Sequence, residues 1–492
     1  MEIQGIKRRP FFLWVYLSML IWNVGTTWWI INSTLPGAIA AFLANSLLMV
    51  LPWLGFYNVK KRMGPVAGYL SFIFFWLSFE YIHQNWELSW PWLTLGNVFS
   101  TQPKWIQWYE FTGTSGGSLW VLCMNLFLFM LLRKKIFENR WSVRTICFAI
   151  GGLGLPLVIS YFGFRFIFNP LSSANVVVVQ PNVDPYLKFE KGAERDQLQH
   201  LIQLSAAGID SNTRLLVWPE TAIPLAIEED SSKTHPFLEP VRNFLKTYPN
   251  VRLLTGIEGF RFFEKNHQTK YSQRYFNTDF YYESYNTAAL LEPGNVQLYH
   301  KSRLVPGVET LPSFLRFMEK WFEQFGGTTG GYARQDTRTV LIADNSRYKI
   351  APAICYESIY GEFMSEYIRN GANIICVITN DGWWGKTPGY QQHQSYGQLR
   401  AIETRCWVVR SANTGISCFI DREGNTIKEL PWNVAGTLKL SVPVNENSVT
   451  FYVKHGDLIS KAGLGFAVLL VIWNIFAILK SARHGKKNSI PK

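Results

Sequence analysis

The sequence predicts a helical transmembrane bundle joined to an α/β domain, and three observations predict it. Residues 10–59 contain no charged side chain, Lys and Arg gather in short clusters beside apolar runs, and the centre of the chain alternates Val- and Ile-rich strands with amphipathic helices. Over 492 residues, aromatic content is 16% and charged content 17%. Few charges and many rings fit a membrane protein better than a globular enzyme, so the chain is divided between lipid and water.

The membrane part comes first. Pro36 and Gly37 split the charge-free stretch into two runs, 11–32 and 37–57, each about the ~20 residues that a bilayer span needs. Further spans are expected at about 65–83, 116–132 and 145–168, with a sixth at about 463–479. Basic clusters at Lys7 to Arg9, Lys60 to Arg62, Arg133 to Arg144 and Arg483 to Lys487 all fall on one side of that arrangement. Lys and Arg mark cytoplasmic loops, so an odd fifth span delivers the centre of the chain to the opposite face. The expected domains are 1–169 (transmembrane), 170–460 (extracytoplasmic, periplasmic where there are two membranes) and 461–492 (a last span and a basic cytoplasmic tail). The implied location is a bacterial inner membrane. The net charge of +13 is spread over these clusters, which argues against nucleic-acid binding. A cleaved signal peptide is not expected, because the first apolar run is long and followed at once by another.

The outer loop at about 84–115 holds Trp86, Trp90, Trp92, Trp105 and Trp108. Indole rings favour the water–lipid interface, so the loop reads as an interfacial anchor or as a platform for a lipid head group. In the centre, strands are expected at 175–180, 214–218, 251–256, 286–291, 348–354, 374–379, 407–410 and 415–420, and helices at about 190–207, 236–247, 357–370 and 391–405. Buried strands separated by amphipathic helices argue for an α/β domain. Gly326 to Gly331 reads as a flexible loop and a candidate lid.

Cys355 falls at the turn between the run 348–354 and a helix-spaced segment. Such a turn exposes a side chain at the mouth of a sheet, and the amides opening the helix favour a thiolate and can bind an oxyanion; the plain alternative is a core cysteine. Glu220 closes the run Leu215 to Pro219, where partial desolvation raises a carboxyl pKa and suits it to proton transfer, unless it is a cap or an ion-pair partner. Lys301, between a strand-like stretch and a loop, can hold an oxyanion, though as one of 48 basic residues its default is surface charge. Glu309 is a second carboxylate in the same loop. The six cysteines show no CxxC pair and no metal-ligand spacing, and His300 and His393 are too far apart to suggest a metal pair; no metal is expected.

The set Trp218-Pro219-Glu220, Lys301 with Leu304 to Pro306 and Glu309, Cys355-Tyr356-Glu357, and Thr379 to Trp383 resembles the nitrilase or carbon-nitrogen hydrolase superfamily, whose members use Glu, Lys and Cys in that order. Together with the membrane frame, Pro91 to Gly96, Trp384-Gly385, Gln392-His393, Arg400 to Glu403 and Arg410 to Gly415, the chain is similar to the apolipoprotein N-acyltransferase family over nearly its whole length. The resemblance implies an αββα nitrilase-like sandwich, Cys355 as nucleophile, Glu220 as general base and Lys301 as oxyanion stabiliser. It also implies support from Glu309, the Tyr356 amide and Glu357, and substrate contacts at Phe189, Asn380, Trp383 and Trp384. The implied reaction passes an acyl group from a phospholipid, through a Cys355 thioester, to the amine of a diacylglyceryl cysteine on an apolipoprotein, with no cofactor. Gly307-Val308 replaces the family's aromatic-glycine pair, Phe189 its usual Trp, and the first span resembles the family's third, so the expectation is either that two N-terminal spans are missing or that the start site is misassigned. A membrane-tethered amidase with the same triad, and a non-enzymatic lipid-binding scaffold, are the alternatives.

Overall fold

The computed structural model describes residues 8–139, 141, 143–162, 172–188, 190, 192–276, 278–318, 331–343, 347–444 and 449–487. The expected lid at 326–331 lies outside the described residues except for Gly331, and so does Phe189. Among the described residues, six helices are long and apolar enough to cross a membrane: α1 (Arg8–Thr27), α2 (Leu35–Met63), α3 (Pro65–Gln84), α4 (Tyr109–Glu138), α5 (Val143–Phe162) and the C-terminal helix Leu458–Lys487. Several run past the expected spans, because hydropathy marks the lipid-buried part of a helix and not its polar ends. α2 thus carries Lys60, Lys61 and Arg62 in its last turn before Gly64, at φ +86°, stops it. Phe11, Val15, Met49, Ile73, Trp76 and Leu122 form the bundle's shared core. Outward residues such as Leu13, Trp14, Ile21 and Leu51 are exposed, as lipid-facing side chains of a spanning bundle must be.

The central domain has two sheets. The first orders its strands β14-β1-β2-β4-β6-β5, with β3 on β4 and β7 on β6: β1 is Ser172–Gln180, β2 Thr213–Val217, β3 Ile223–Glu228, β4 Arg252–Glu264, β5 Gln273–Arg274, β6 Phe280–Glu292, β7 Asn295–His300 and β14 Gly436–Val444. The second runs β13-β12-β11-β10-β9-β8, with β8 Leu341–Ala343, β9 Tyr348–Ile354, β10 Ile374–Thr379, β11 Trp407–Ala412, β12 Ser417–Ile420 and β13 Thr426–Leu430. Alternation explains the layering. Val176 and Val178 face the second sheet, in one core with Tyr348 and Ile350, the Tyr348 hydroxyl donating to the Ala174 carbonyl at 3.0 Å. Val177 and Val179 face helices α6 (Glu194–Gly208) and α7 (Glu239–Thr247) through Leu198, Leu201, Val241 and Phe244. Across the second sheet lie α8 (Gly361–Arg369) and α9 (Pro388–Thr404), through Met364, Tyr367, Leu399 and Ile402. The layers are therefore α, β, β, α, with parallel pairs β1–β2, β2–β4, β9–β10 and β10–β11 at their centres.

The strand expected at 251–256 runs on to Glu264 and pairs with β6 along twelve positions from Leu253↔Leu291 to Glu264↔Phe280. Its outer end, Phe260 to Glu264, mixes aromatic with charged residues and is half-buried to exposed, which is why buried-strand composition ended at Gly256. The Trp loop differs more. Trp92 is buried with Trp29 in the main core, and Trp29, Trp92 and Trp384 stack within 4.8–5.6 Å of one another. Most of this loop is packed between bundle and sandwich, and Trp105 is its exposed indole.

Candidate active site

Four loops at one end of the paired sheets bring the expected residues together. β9 ends at Ile354, and Cys355 opens a 3-10 turn, Cys355–Ile359, with a left-handed backbone (φ +52°). Such a conformation is unfavourable for a residue with a Cβ and persists where surroundings impose it. Here the Cys355 carbonyl accepts from Ser358 Oγ at 2.8 Å and lies 3.2 Å from His393 Nε2. Glu220 lies on the turn after β2, and Lys301 directly follows β7.

The Lys301 ammonium, 1% exposed, is clamped between two carboxylates: Glu220 Oε1 at 3.1 Å and Glu309 Oε1 at 2.8 Å. Asn286 Nδ2 donates to the same two oxygens, at 2.8 and 3.1 Å. Glu220 Oε2 accepts from the Asn380 amide at 3.2 Å, and Glu309 Oε2 from the Val305 amide at 2.8 Å. Burial alone would lower the lysine pKa, but Glu220 and Glu309 outweigh it and hold it well above its ordinary range, so the ammonium keeps its charge.

The thiol goes the other way. Cys355 keeps part of its surface open, yet burial of its sulfur, reinforced by the charge of Glu220 and only partly opposed by Lys301, pushes its pKa well up. This corrects the expectation of a thiolate favoured by helix amides: the turn after Cys355 is five residues of 3-10 helix, too short for a large dipole, and desolvation wins. A resting thiol that must ionise on attack needs a base.

Glu357 joins two of these loops. Its Oε1 accepts from Tyr299 Oη at 2.6 Å and from the amides of Ser302 and Arg303 at 2.6 and 3.1 Å, while Oε2 accepts from the Ile354 amide at 2.8 Å. One buried carboxylate thus ties the segment after Lys301 to the strand end before Cys355. Tyr356 points its ring away, its hydroxyl donating to the Ser89 carbonyl at 2.8 Å, which leaves its backbone amide as the part nearest the chemistry. Trp383 is exposed and meets Tyr186 edge-on at 5.4 Å, whereas Trp384 packs inward against Trp29. The Asn380 side chain, expected to touch substrate, is turned to the Gly382 amide and Asn413 Nδ2; its backbone reaches the site.

Behind Cys355, Asp381 accepts from Arg410 Nη2 at 2.6 Å and Thr379 Oγ1 at 2.9 Å, and lies 2.9 Å from His393 Nδ1. Burial would raise the Asp381 carboxyl pKa, but Arg410 and His393 hold it below the usual range; burial and Arg410 together push His393 down, leaving a neutral imidazole. Donor atoms of Cys355, Asp381 and His393 lie within 4.8 Å of one another. Both Asp381 oxygens and both imidazole nitrogens already have protein neighbours, so the group reads as a brace beneath the nucleophile and not an open ligand set. Sequence reasoning did not find Asn286, Tyr299 or Arg410 as site residues. Each sits inside an ordinary-looking strand, and only the β6–β7 register, in which the Lys301 amide donates to the Asn286 carbonyl at 2.8 Å, brings Asn286 to the lysine.

The carbon-nitrogen hydrolase family matches residues 176–448, and the apolipoprotein N-acyltransferase N-terminal domain matches residues 2–127. The apolipoprotein N-acyltransferase of Chlorobaculum tepidum is 32% identical over 476 residues, covering 94% of this chain and 87% of that one. That of Geobacter metallireducens is 26% identical over 467 residues, covering 92% and 82%. Among solved structures, a Saccharomyces cerevisiae member of branch 10 of the nitrilase superfamily is 15% identical, covering 57% of this chain and 92% of its own with a TM-score of 0.38. An amidase from Nesterenkonia sp. is 14% identical, covering 59% and 95% with the same TM-score.

Proposed function

The chain belongs to the apolipoprotein N-acyltransferase family, within the carbon-nitrogen hydrolases, and from that premise we propose that Glu220, Lys301 and Cys355 carry an acyl group from a phospholipid to the amine of a lipoprotein's diacylglyceryl cysteine. The protein is an acyltransferase acting in lipoprotein N-acylation and a multi-pass membrane protein. The observation that carries the mechanism is the buried Lys301 ammonium held by Glu220 and Glu309, close enough to Cys355 for both Glu220 and Lys301 to act on its thiol.

In the first half-reaction, Glu220 takes the Cys355 thiol proton as sulfur attacks the ester carbonyl. Lys301 and the Tyr356 amide hold the oxyanion of the tetrahedral intermediate. The carbon–oxygen bond breaks, Glu220 returns its proton to the departing lysophospholipid oxygen, and a thioester remains. In the second, the diacylglyceryl cysteine amine attacks the thioester carbonyl and loses a proton to Glu220. The carbon–sulfur bond breaks and the thiolate recovers that proton. Thioester to amide is downhill, so neither nucleotide nor metal is needed for balance; the protein needs to delay water. The tryptophans between bundle and sandwich supply apolar walls on that side.

The basic clusters at Lys60 to Arg62 and Arg133 to Lys135 support a catalytic domain on the extracytoplasmic face of a bacterial inner membrane. The test is purified protein with phosphatidylethanolamine and a diacylglyceryl-cysteine peptide, followed by mass spectrometry. Triacylated peptide that disappears in Cys355→Ala is expected. Free fatty acid without acylated peptide would mean that water, not an amine, accepts the acyl group, as in an amidase.

A further inference from the structure

Among the described residues, Lys188 is one of two buried lysines, 2% exposed against 1% for Lys301. Its ammonium donates to the Glu220 carbonyl at 3.0 Å and to Thr221 Oγ1 at 2.7 Å. Those two acceptors belong to a strained turn. Thr221 has a left-handed backbone, φ +44°, in which a β-branched residue is a genuine outlier. The turn is also pressed against β4, where a Cβ on Gly256 would fall 2.4 Å from the Thr221 nitrogen and 2.7 Å from Glu220 Cα. A buried charge donating to a carbonyl at a left-handed turn is an expensive arrangement for mere packing. Burial brings the ammonium down to about 8 even against the nearby charges of Glu220 and Glu258.

The backbone of Lys188 continues an exposed segment beside the Gly382-Trp383 turn. Its backbone carbonyl accepts from Gln197 Nε2 at 2.9 Å. The preceding residues, Pro185 to Leu187, lie against the Gly382-Trp383 turn, with Tyr186 meeting the Trp383 ring and both Tyr186 and Leu187 exposed. The side chain therefore spans from this exposed segment to the backbone of the base.

We propose that Lys188 is a positioning residue that pins the left-handed Glu220–Thr221 turn and so aims the Glu220 carboxylate at the Cys355 proton, linking the exposed segment to the base. The inference rests on Glu220 acting as base, and it goes beyond the triad by assigning the aim of that base to a second buried lysine.

The test follows acyl-enzyme formation in the full chain in lipid-detergent micelles, read as the burst of p-nitrophenol from a p-nitrophenyl ester. This donor reports on attack by Cys355 without a phospholipid. Lys188→Met is expected to slow the burst about 10–100-fold, the cost of misplacing a reacting group by an ångström or so, with the half-saturating ester concentration changed less than about 2-fold. Adding Thr221→Gly to Lys188→Met is expected to recover at least several-fold, because glycine holds a positive φ without help; a lysine that only filled space would gain nothing from it. An unchanged burst rate, a rise in half-saturation with an unchanged maximal rate, or no recovery in the double variant overturns the proposal. Glu220→Gln separates the two levels. If it leaves the burst unchanged, the base assignment fails and this inference with it; if it slows the burst while Lys188→Met does not, only the role of Lys188 fails. Absence of a burst in the parent protein overturns both.

Discussion

Two of the buried charge clusters among the described residues differ in stoichiometry. Where the sandwich meets the bundle, each guanidinium has its own carboxylate. Arg405 Nε pairs with Glu110 at 2.6 Å and its other nitrogens donate to Gln107 and the Arg422 carbonyl. Arg400 pairs with Glu403 at 2.9 Å, and Glu403 accepts from the Thr114 amide at 3.1 Å. In the catalytic cluster one ammonium serves two carboxylates, and a thiol that resists ionisation faces them. The first arrangement is balanced and fixes how two domains sit. In the second the two carboxylates share the Lys301 ammonium while Lys188 donates to the backbone behind Glu220, so the Glu220 carboxylate remains to take a proton, which is what catalysis by a raised thiol requires.

The largest effect expected from the comparison concerns the atom that sets the catalytic cluster apart. Cys355→Ala should reduce peptide acylation by about 10⁴-fold or more, as removal of a nucleophile does elsewhere, and should abolish the thioester mass, while the melting temperature in detergent barely moves. A fall in melting temperature as large as the fall in activity would place Cys355 with the structural group.

Glu220→Gln should come next and divides two readouts. Loss of the base should lower acyl-enzyme formation by about 10²–10⁴-fold. Loss of its negative charge removes one of the causes holding the thiol up, so the pH at which iodoacetamide alkylation of Cys355 accelerates should move down. In the parent protein that alkylation should still be climbing past pH 9, since a raised thiol is protonated at neutral pH and gains thiolate only as the pH rises. A plateau reached by pH 7 would show a preformed thiolate and remove the need for a base.

Lys301→Met and Arg405→Met test the stoichiometry directly. Each leaves buried carboxylate unpaired, which costs about 3–5 kcal/mol of stability when a buried pair loses one partner. Both should therefore melt earlier. Only Lys301→Met should also lower acylation per folded molecule, by about 10²–10³-fold, the usual loss on removing an oxyanion donor. If Arg405→Met lowered the chemistry of the folded fraction as much, the two clusters would not be distinct.

What was legible in the sequence follows from the range of the interactions involved. Membrane helices announce themselves through local composition, and a strand buried on both faces, such as Val176 to Val179, reads as an unbroken apolar run. Glu220, Lys301 and Cys355 could be picked out because each stands at the end of such a run and because their order resembles a known family. Lys188, Asn286 and Arg410 could not. Their roles depend on approaches between segments far apart in the chain, 29 residues for Arg410 and Asp381 and 66 for Asn286 and Glu220. The Trp loop was misjudged for the same reason: an indole suited to a lipid interface is equally suited to a protein one, and Trp92 Nε1 found Gln392 Oε1 at 2.6 Å instead of lipid head groups.

The smallest effect lies at Glu357, which belongs to neither cluster by charge but resembles the domain-fixing group in how it is used. Burial pushes its carboxyl up, and Tyr299 with the amides of Ile354 and Ser302 works against that. Both oxygens are acceptors for four donors in all. Glu357→Gln keeps size and shape but turns one oxygen into an NH₂ that can only donate, so at least one backbone amide must face a donor. The segment after Lys301 or the strand end before Cys355 then shifts, and acylation should fall about 10–100-fold through the maximal rate, with half-saturation unchanged, because substrate still binds but meets a displaced ammonium or thiol. Glu357→Asp, which keeps the charge and shortens the reach, should do no better. Full activity in the glutamine variant would show that these amides do not need the carboxylate, and that the two loops are held together by the sheet alone.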